Sequence, residues 1–404
     1  MTANTLTTIT RVPAGEFLPL FKREYMLEWI RKNRFQRYMG TGEDMPIQFK
    51  YELKKEGGQS IQFNFLRKAS SNGVGGNMLL EGREGLVTRE KCVIIADYMR
   101  EAFAVSKGDE KKSIVELLPQ FKNLLMNWSK ERVRDRTIDA LWMIKPDVGG
   151  VVPIYNPDPS RVLSGDPAAV TTTATATASD WNNFLTNNTD RFTFGNSDTN
   201  FSTTLATGMA ATVGAGDGFT TLAVSRMKDL AKNTNPAIEP MRIGEDDEEY
   251  YVIFCDTKSF RQLQADPKMQ AANQYSRSRE GDGWKKNPIR TGADLEWDGC
   301  IIREVPEMKP IIYDATPAAW RALLPADTFS SAVKGRAVLC GVNAVGIAVG
   351  QEQDFPDQLR DYSYRKGIAV EEMLGVNKIQ RQDLTTTTKY VDNGIVSGIF
   401  NAAA

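Results

Sequence analysis

Two strand-like runs enclose a glycine-rich stretch that cannot bury a core of its own. In Gly57-Gly58-Gln59-Ser60-Ile61-Gln62-Phe63-Asn64-Phe65, polar residues alternate with Ile61, Phe63 and Phe65. That is the period-two pattern of a half-buried strand. Beyond Glu81-Gly82-Arg83-Glu84-Gly85, the apolar run Val93-Ile94-Ile95 reads as its counterpart. Between the two lie roughly 20 loop-like residues, among them Ser70-Ser71-Asn72-Gly73-Val74-Gly75-Gly76-Asn77; loops of that length inside a domain are usually functional or disordered. Apolar roots and a glycine tip predict an extended arm that reaches a neighbouring subunit.

The chain of 404 residues has room for two or three compact units, or for one domain with large excursions. No apolar run approaches the roughly 18–20 residues that span a membrane, so no membrane partner is expected. Met1 to Thr8 shows no basic region followed by an apolar one, which predicts a polar arm and no signal peptide. Basic and acidic residues number 50 and 51, leaving a net charge of −1. Any contact with nucleic acid must therefore be local.

The chain has no histidine. This excludes Ser-His-Asp and Cys-His nucleophile systems, HExxH zinc sites and histidine-ligated iron. Cys92, Cys255, Cys300 and Cys340 are far apart, each within an apolar run. They read as buried thiols in strands, suited to a reducing compartment, with no metal or disulfide role. Neither cofactor nor catalytic residue is expected. Carboxylate-only chemistry survives in principle, as in a polysaccharide hydrolase. It needs two carboxylates about 5–9.5 Å apart in one cleft, and no pair in the sequence points to such a cleft.

Residues 15–39 read as a helix, with Leu18, Phe21, Tyr25 and Trp29 along one face. Residues 21–37 carry net +4: Arg31, Lys32, Arg34 and Arg37 are either a solvated helix face with ordinary ion pairs or an inner surface facing packaged nucleic acid or a partner's acidic patch. Residues 93–105 read as strand. Leu118, Phe121, Leu124, Leu125 and Trp128 open a helix of 118–144, a rod of ~40 Å. Proline and Thr/Asn/Gly richness mark 146–220 as a loop-rich surface insertion, with a helix starting after Asp217. Glu245-Asp246-Asp247-Glu248-Glu249 reads as a solvated turn entering the buried strand Tyr250–Cys255. A helix from Ser259 should stop at Asp266-Pro267. Downstream, Cys300–Val305, two strands flanking Gly375 and Ile395–Phe400 are predicted β, and Ala337–Val349 reads as a buried strand pair or as a strand turning into a short helix. This order argues α+β and no regular βαβ winding.

The same parts in the same order resemble the major capsid proteins of tailed bacterial viruses, which share the HK97-like fold. Within that group the chain is similar to the lineage typified by the phage N4 capsid protein. The resemblance is carried by Gly58-Gln59-Ser60-Ile61-Gln62-Phe63, Leu80-Glu81-Gly82, Cys92-Val93-Ile94-Ile95, and Trp128 with Asp139. It continues through Tyr250-Tyr251-Val252-Ile253-Phe254, Leu263-Gln264-Ala265-Asp266, Asn287-Pro288, Thr291-Gly292, Asp298-Gly299, Leu339-Cys340-Gly341 and Gly375-Val376-Asn377-Lys378. It covers most of the chain, least so 146–220.

The resemblance implies an N-terminal arm over 1–45, an extended loop (E-loop) over 46–92, and a peripheral domain over 93–239 whose spine helix is 118–144. An axial domain over 240–360 and a return to the peripheral domain over 361–404 complete it. The implied function is self-assembly into pentamers and hexamers of an icosahedral head shell. Scaffolding, portal and decoration proteins are the implied further partners. Arg67, Lys68, Glu81, Arg83 and Glu84 on the arm are candidates for contacts between subunits, setting register more than affinity. A tail-tube or fibre/adhesin subunit is the alternative within the virion.

Overall fold

The computed structural model describes residues 33–53, 58, 60–67, 74–76, 78, 81, 89–112, 117–144, 178–212, 214–243, 248–275, 294–315, 318–322, 333–383 and 389–402. After a tight turn at Gln36–Tyr38 come β1 (Met39–Gly40), β2 (Ile47–Lys50), β3 (Ser60–Leu66), β4 (Arg89–Ile95) and β5 (Asp97–Ser106). Two helices follow, α1 (Lys107–Lys112) and α2 (Leu117–Leu141). Next are α3 (Ala178–Asn187), β6 (Phe192–Phe194), α4 (Leu205–Ala211), α5 (Thr221–Asn233), β7 (Met241–Ile243) and β8 (Glu248–Cys255). Helices α6 (Thr257–Ala265) and α7 (Pro267–Tyr275) precede β9 (Leu295–Trp297), β10 (Cys300–Glu304), β11 (Ile311–Ala315) and β12 (Ala318–Ala322). The chain closes with β13 (Val333–Cys340), β14 (Val345–Asp354), β15 (Asp357–Arg360), β16 (Arg365–Lys378), β17 (Gln380–Asp383), β18 (Tyr390–Asp392) and β19 (Ile395–Asn401). Mixed sheets and separate helices make this α+β, as expected.

The chain divides into two compact units, the larger from residues 32–99, 130–352 and 372–404. Its centre is a nine-stranded sheet in the order β12-β11-β13-β8-β10-β9, with β19 pairing both β13 and β6, and β7 pairing β8. β13 and β19 run antiparallel from Lys334↔Asn401 to Cys340↔Ile395, and both are buried along their whole length. Apolar runs such as Val252-Ile253-Phe254-Cys255 fit this place, because strands covered on both faces lose the polar alternation of one-sided strands. Helices α5, α6 and α7 supply one cover: Val224, Met227, Phe260, Leu263 and Met269 pack with Ile253, Leu339 and Phe400.

Local sequence chemistry sets the helix ends. Asp256 caps α6, its carboxylate accepting from the Ser259 amide at 2.9 Å. α6 stops at Ala265, just before Asp266-Pro267, as the sequence suggested, and Pro267 opens α7, a first-turn position where a missing N–H costs nothing. Asp266 occupies the joint and accepts from the Thr221 amide and hydroxyl (both 2.8 Å) and the Lys268 amide (3.0 Å). The last turn of α2 tightens at Trp142 and Met143, whose amides bond back to Asp139 and Ala140 (3.2 Å each), so the regular helix stops at Leu141, short of 144.

Other expectations change more. The helix predicted through residue 39 is, over 33–39, a turn: Phe35 and Tyr38 leave any helical face to pack on Phe254, with centroids 4.7 and 5.7 Å away. The described part of 146–220 is no loose surface insertion. Phe192 and Phe194 are buried, β6 pairs in parallel with β19 at Ser397–Ile399, and α3 sets Trp181 and Leu185 into the core. Residues 395–401 close the nine-stranded sheet beside β13 of the stretch assigned to the axial domain. The two strands expected around Gly375 are one, β16.

In the smaller unit, residues 100–129 and 353–371 among those described, β5 and β15 both pair with β16. β15 and β16 form a hairpin from Asp357↔Ile368 to Arg360↔Arg365. Its tip holds three consecutive non-glycine residues in the left-handed region: Asp361 (φ 55), Tyr362 (φ 50) and Ser363 (φ 66). Phe103 meets Phe121 at 5.5 Å and Lys122 lies 5.1 Å over Phe355.

All four cysteines are free and buried. Burial pushes the Cys300 thiol up to about 12, and those of Cys255 and Cys340 also well up, from the ordinary 9.0. A raised folded-state value contributes stability below the unfolded value and loses it as pH rises. Through these thiols, the urea midpoint is therefore expected to fall as pH climbs from 9 towards 12, and Cys→Ala substitutions should flatten that decline.

Candidate functional site: the root of the extended arm

The predicted arm is built on β3 and β4, antiparallel from Ser60↔Ile95 to Leu66↔Arg89. Sheet order β18-β17-β4-β3 places β3 at the edge, with the excursion leaving at the Leu66↔Arg89 rung. One face of this ribbon is apolar because the alternation is strict: Ile61, Phe63 and Phe65 stand opposite Ile94, Cys92 and Glu90. Ile61, Cys92 and Ile94 join Leu53, Ala96, Ala348 and Ile379 in a buried cluster, against which Phe63, Phe65 and Met373 pack. The other face carries exposed Ser60, Gln62, Asn64 and Leu66. Beside the root lies a cleft of about 450 Å³ that Phe63 and Phe65 share with Glu43, Asp44, Glu52 and Glu239.

β16 runs close beneath the root because Gly375 has no side chain. A Cβ there would fall on the carbonyl of Ile95 and crowd Ala96. Gly346 plays the same part for Ile94, whose Cδ1 would lie 2.6 Å from an added Cβ.

Where the apolar face ends, a carboxylate is buried. Glu90 is 3% exposed and takes Arg67 Nε at 2.8 Å and Arg381 Nη1 at 3.5 Å. The Arg381 guanidinium lies 4.8 Å over Phe65 and donates from Nε to Asn393 Oδ1 at 2.6 Å. Burial pushes the Arg381 guanidinium below its ordinary value, opposed by Glu90. One carboxylate thus ties β3, β4 and β17 together.

Among the sequence-predicted contact residues, Arg67 is half exposed and paired within its own chain, and Glu81 is exposed in a turn. Lys68, Arg83 and Glu84 lie outside the described residues. So do Arg31 and Lys32, while Arg34 is half-buried and Arg37 exposed. The sequence reading missed Glu90 and Arg381. For Glu90 a signal existed, since it alternates with Cys92 and Ile94 on the buried face. Among the described residues no cluster of His, Cys, Asp and Glu is arranged to hold a metal ion, and no helix is long and apolar enough to cross a membrane.

Substituting Gly375→Ala should destabilise the subunit by about 1–3 kcal/mol, since neither strand at the contact can yield a side chain. Denaturant unfolding measures this, and Gly75→Ala in the open excursion, where nothing lies within 4 Å, is its control.

Comparison with known proteins fixes what this architecture belongs to. A family model described as phage capsid protein matches residues 18–403. The major capsid protein of Pseudomonas phage KPP25 is 26% identical over 385 residues, 93% of this chain and 94% of that one. The capsid of cyanophage Pam1 superposes with a TM-score of 0.78 at 26% identity, covering 98% of this chain and 99% of that chain. The capsid of Helicobacter pylori bacteriophage KHP30 shares the fold, with a TM-score of 0.64 at 15% identity over 98% and 100% of the two chains. The chain therefore belongs to the phage capsid protein family, an HK97-like major capsid protein that builds a virion shell.

Proposed function

We propose that this subunit assembles, by way of pentamers and hexamers, into the icosahedral head enclosing a phage genome, and that its role is wholly structural. The observation that carries the reading is full-length similarity to the Pam1 capsid subunit, at a TM-score of 0.78 over 98% of this chain. Assembly takes place in the host bacterial cytoplasm, with scaffolding, portal and decoration proteins as further partners. The arm beginning at Gly57 overlies a neighbouring copy, where Arg67, Lys68, Glu81, Arg83 and Glu84 set register. α2 is the spine of a peripheral domain that includes the smaller unit, and the nine-stranded sheet, β19 included, is the axial domain. Arg31, Lys32, Arg34 and Arg37 face the packaged DNA through non-specific phosphate contacts.

A shell of many copies can be stable with modest interfaces, because each subunit is held at several contacts at once. A balanced charge of −1 suits such packing, since copies carrying large like charges would repel one another.

Electron microscopy with light scattering is expected to show closed shells or rings of five and six subunits from the protein expressed alone or with its scaffold. Tubes or fibres would instead identify a tail or adhesin subunit. Deleting Asn72 to Asn77 should leave a folded subunit that assembles poorly, and normal closed shells from the deletion would remove the arm from assembly.

A further inference from the structure

We infer that Glu90 is a positioning residue for the arm, a latch with one releasable partner, Arg67, and one standing partner, Arg381. The inference rests on the reading of the arm as the element that meets a neighbouring copy. Glu90 stands opposite Phe65 on β3 and opposite Asp383 on β17, one rung before the arm leaves the sheet. Arg67 is the first residue beyond that ladder.

Its two partners are held very differently. Arg381 is 16% exposed, stacked on Phe65 and anchored to Asn393. Arg67 is 44% exposed, and among the described residues its ion pair is with Glu90 alone. A buried carboxylate stripped of its only cation is strongly destabilising. With two cations on Glu90, Arg67 can turn outward to an acidic group of a neighbour while Arg381 keeps the carboxylate paired. The arm then has two supported arrangements at its root: closed, with Arg67 on Glu90, and released. Subunits of a shell that meet their neighbours in more than one surrounding would be served by one sequence whose root has an exchangeable ion pair.

The test is hydrogen exchange on the full chain, kept unassembled as judged by light scattering. Arg67→Gln should speed exchange of the β3 amides about fivefold, as expected for one partly exposed ion pair. The β17 amides and the melting temperature should stay at their wild-type values, and Arg67→Lys should restore part of the β3 protection. Glu90→Gln should speed exchange in both β3 and β17. Unchanged β3 exchange in Arg67→Gln overturns the latch. So does a uniform loss of protection across the sheet, which would make Arg67 an ordinary stabilising residue. Because exchange is read before assembly, its failure is separate from a failure to form shells, which microscopy reports and which would undo the reading of the arm instead.

Discussion

The ladder between β13 and β19 joins two strands that are both buried throughout. Burial at that depth leaves no water for the backbone, so every N–H and C=O must find its partner within the sheet. β19 answers on both sides, with β13 along seven rungs and β6 along three. Its side chains then join the layers: Phe400 meets Phe219 at 5.0 Å, and Val396 enters the helix-covered core. Two glycines make room for the side chains that pack on the ladder. A Cβ on Gly398 would strike Phe400, and one on Gly335 would strike Ser259 and Asp256. The core of the larger unit is therefore complete only with residues 395–401 in place.

Buried charges fix which segments meet around that ladder. Lys378 and Asp392, each 1% exposed, pair at 2.7 Å, and Gln380 donates to the other Asp392 oxygen at 2.7 Å. The Asp392 amide donates to Asn188 Oδ1, and the Lys378 ammonium lies 4.5 Å over Phe184. Arg191 donates to the carbonyls of Asn393 and Pro236. Compared with well-packed apolar residues, such pairs add little stability, yet losing one member costs about 3–5 kcal/mol. Their effect is to make wrong arrangements costly. Here they bind α3 and the Asn188–Arg191 turn to β16–β18, which draws 178–194 into the core.

This is also where the sequence was least legible. Proline and Thr/Asn richness describes 146–220 correctly as a composition, but Phe192, Phe194 and Trp181 decide the packing, and their spacing follows no helix or strand period long enough to notice. Gly375 reads as a turn because glycine usually interrupts strands. Its reason is the close approach of Ile95, a long-range contact invisible in a local window. Elements with a strong local period were legible: β3, β4, most of α2, β8 and β19 all lie where the alternation or the apolar run placed them. The root of the arm was legible for the same reason, whereas the Glu90–Arg381 pair was not, because its members are 291 positions apart.

The arm's polarity then follows from its position. Among the described residues β3 is the terminal strand of its sheet, and such an edge in an ordinary protein invites uncontrolled strand addition. One face is apolar and covered. The other presents Gln62 and Asn64, bonded to each other at 2.5 Å, and ends in Leu66, 69% exposed. An edge strand with such a polar outer face, apolar only where the excursion departs, is protected against indiscriminate pairing. A charged latch at the same point extends that logic. A wholly apolar root would hold the arm firmly at one angle, whereas an ion pair at the solvent boundary can be exchanged for another without uncovering the core.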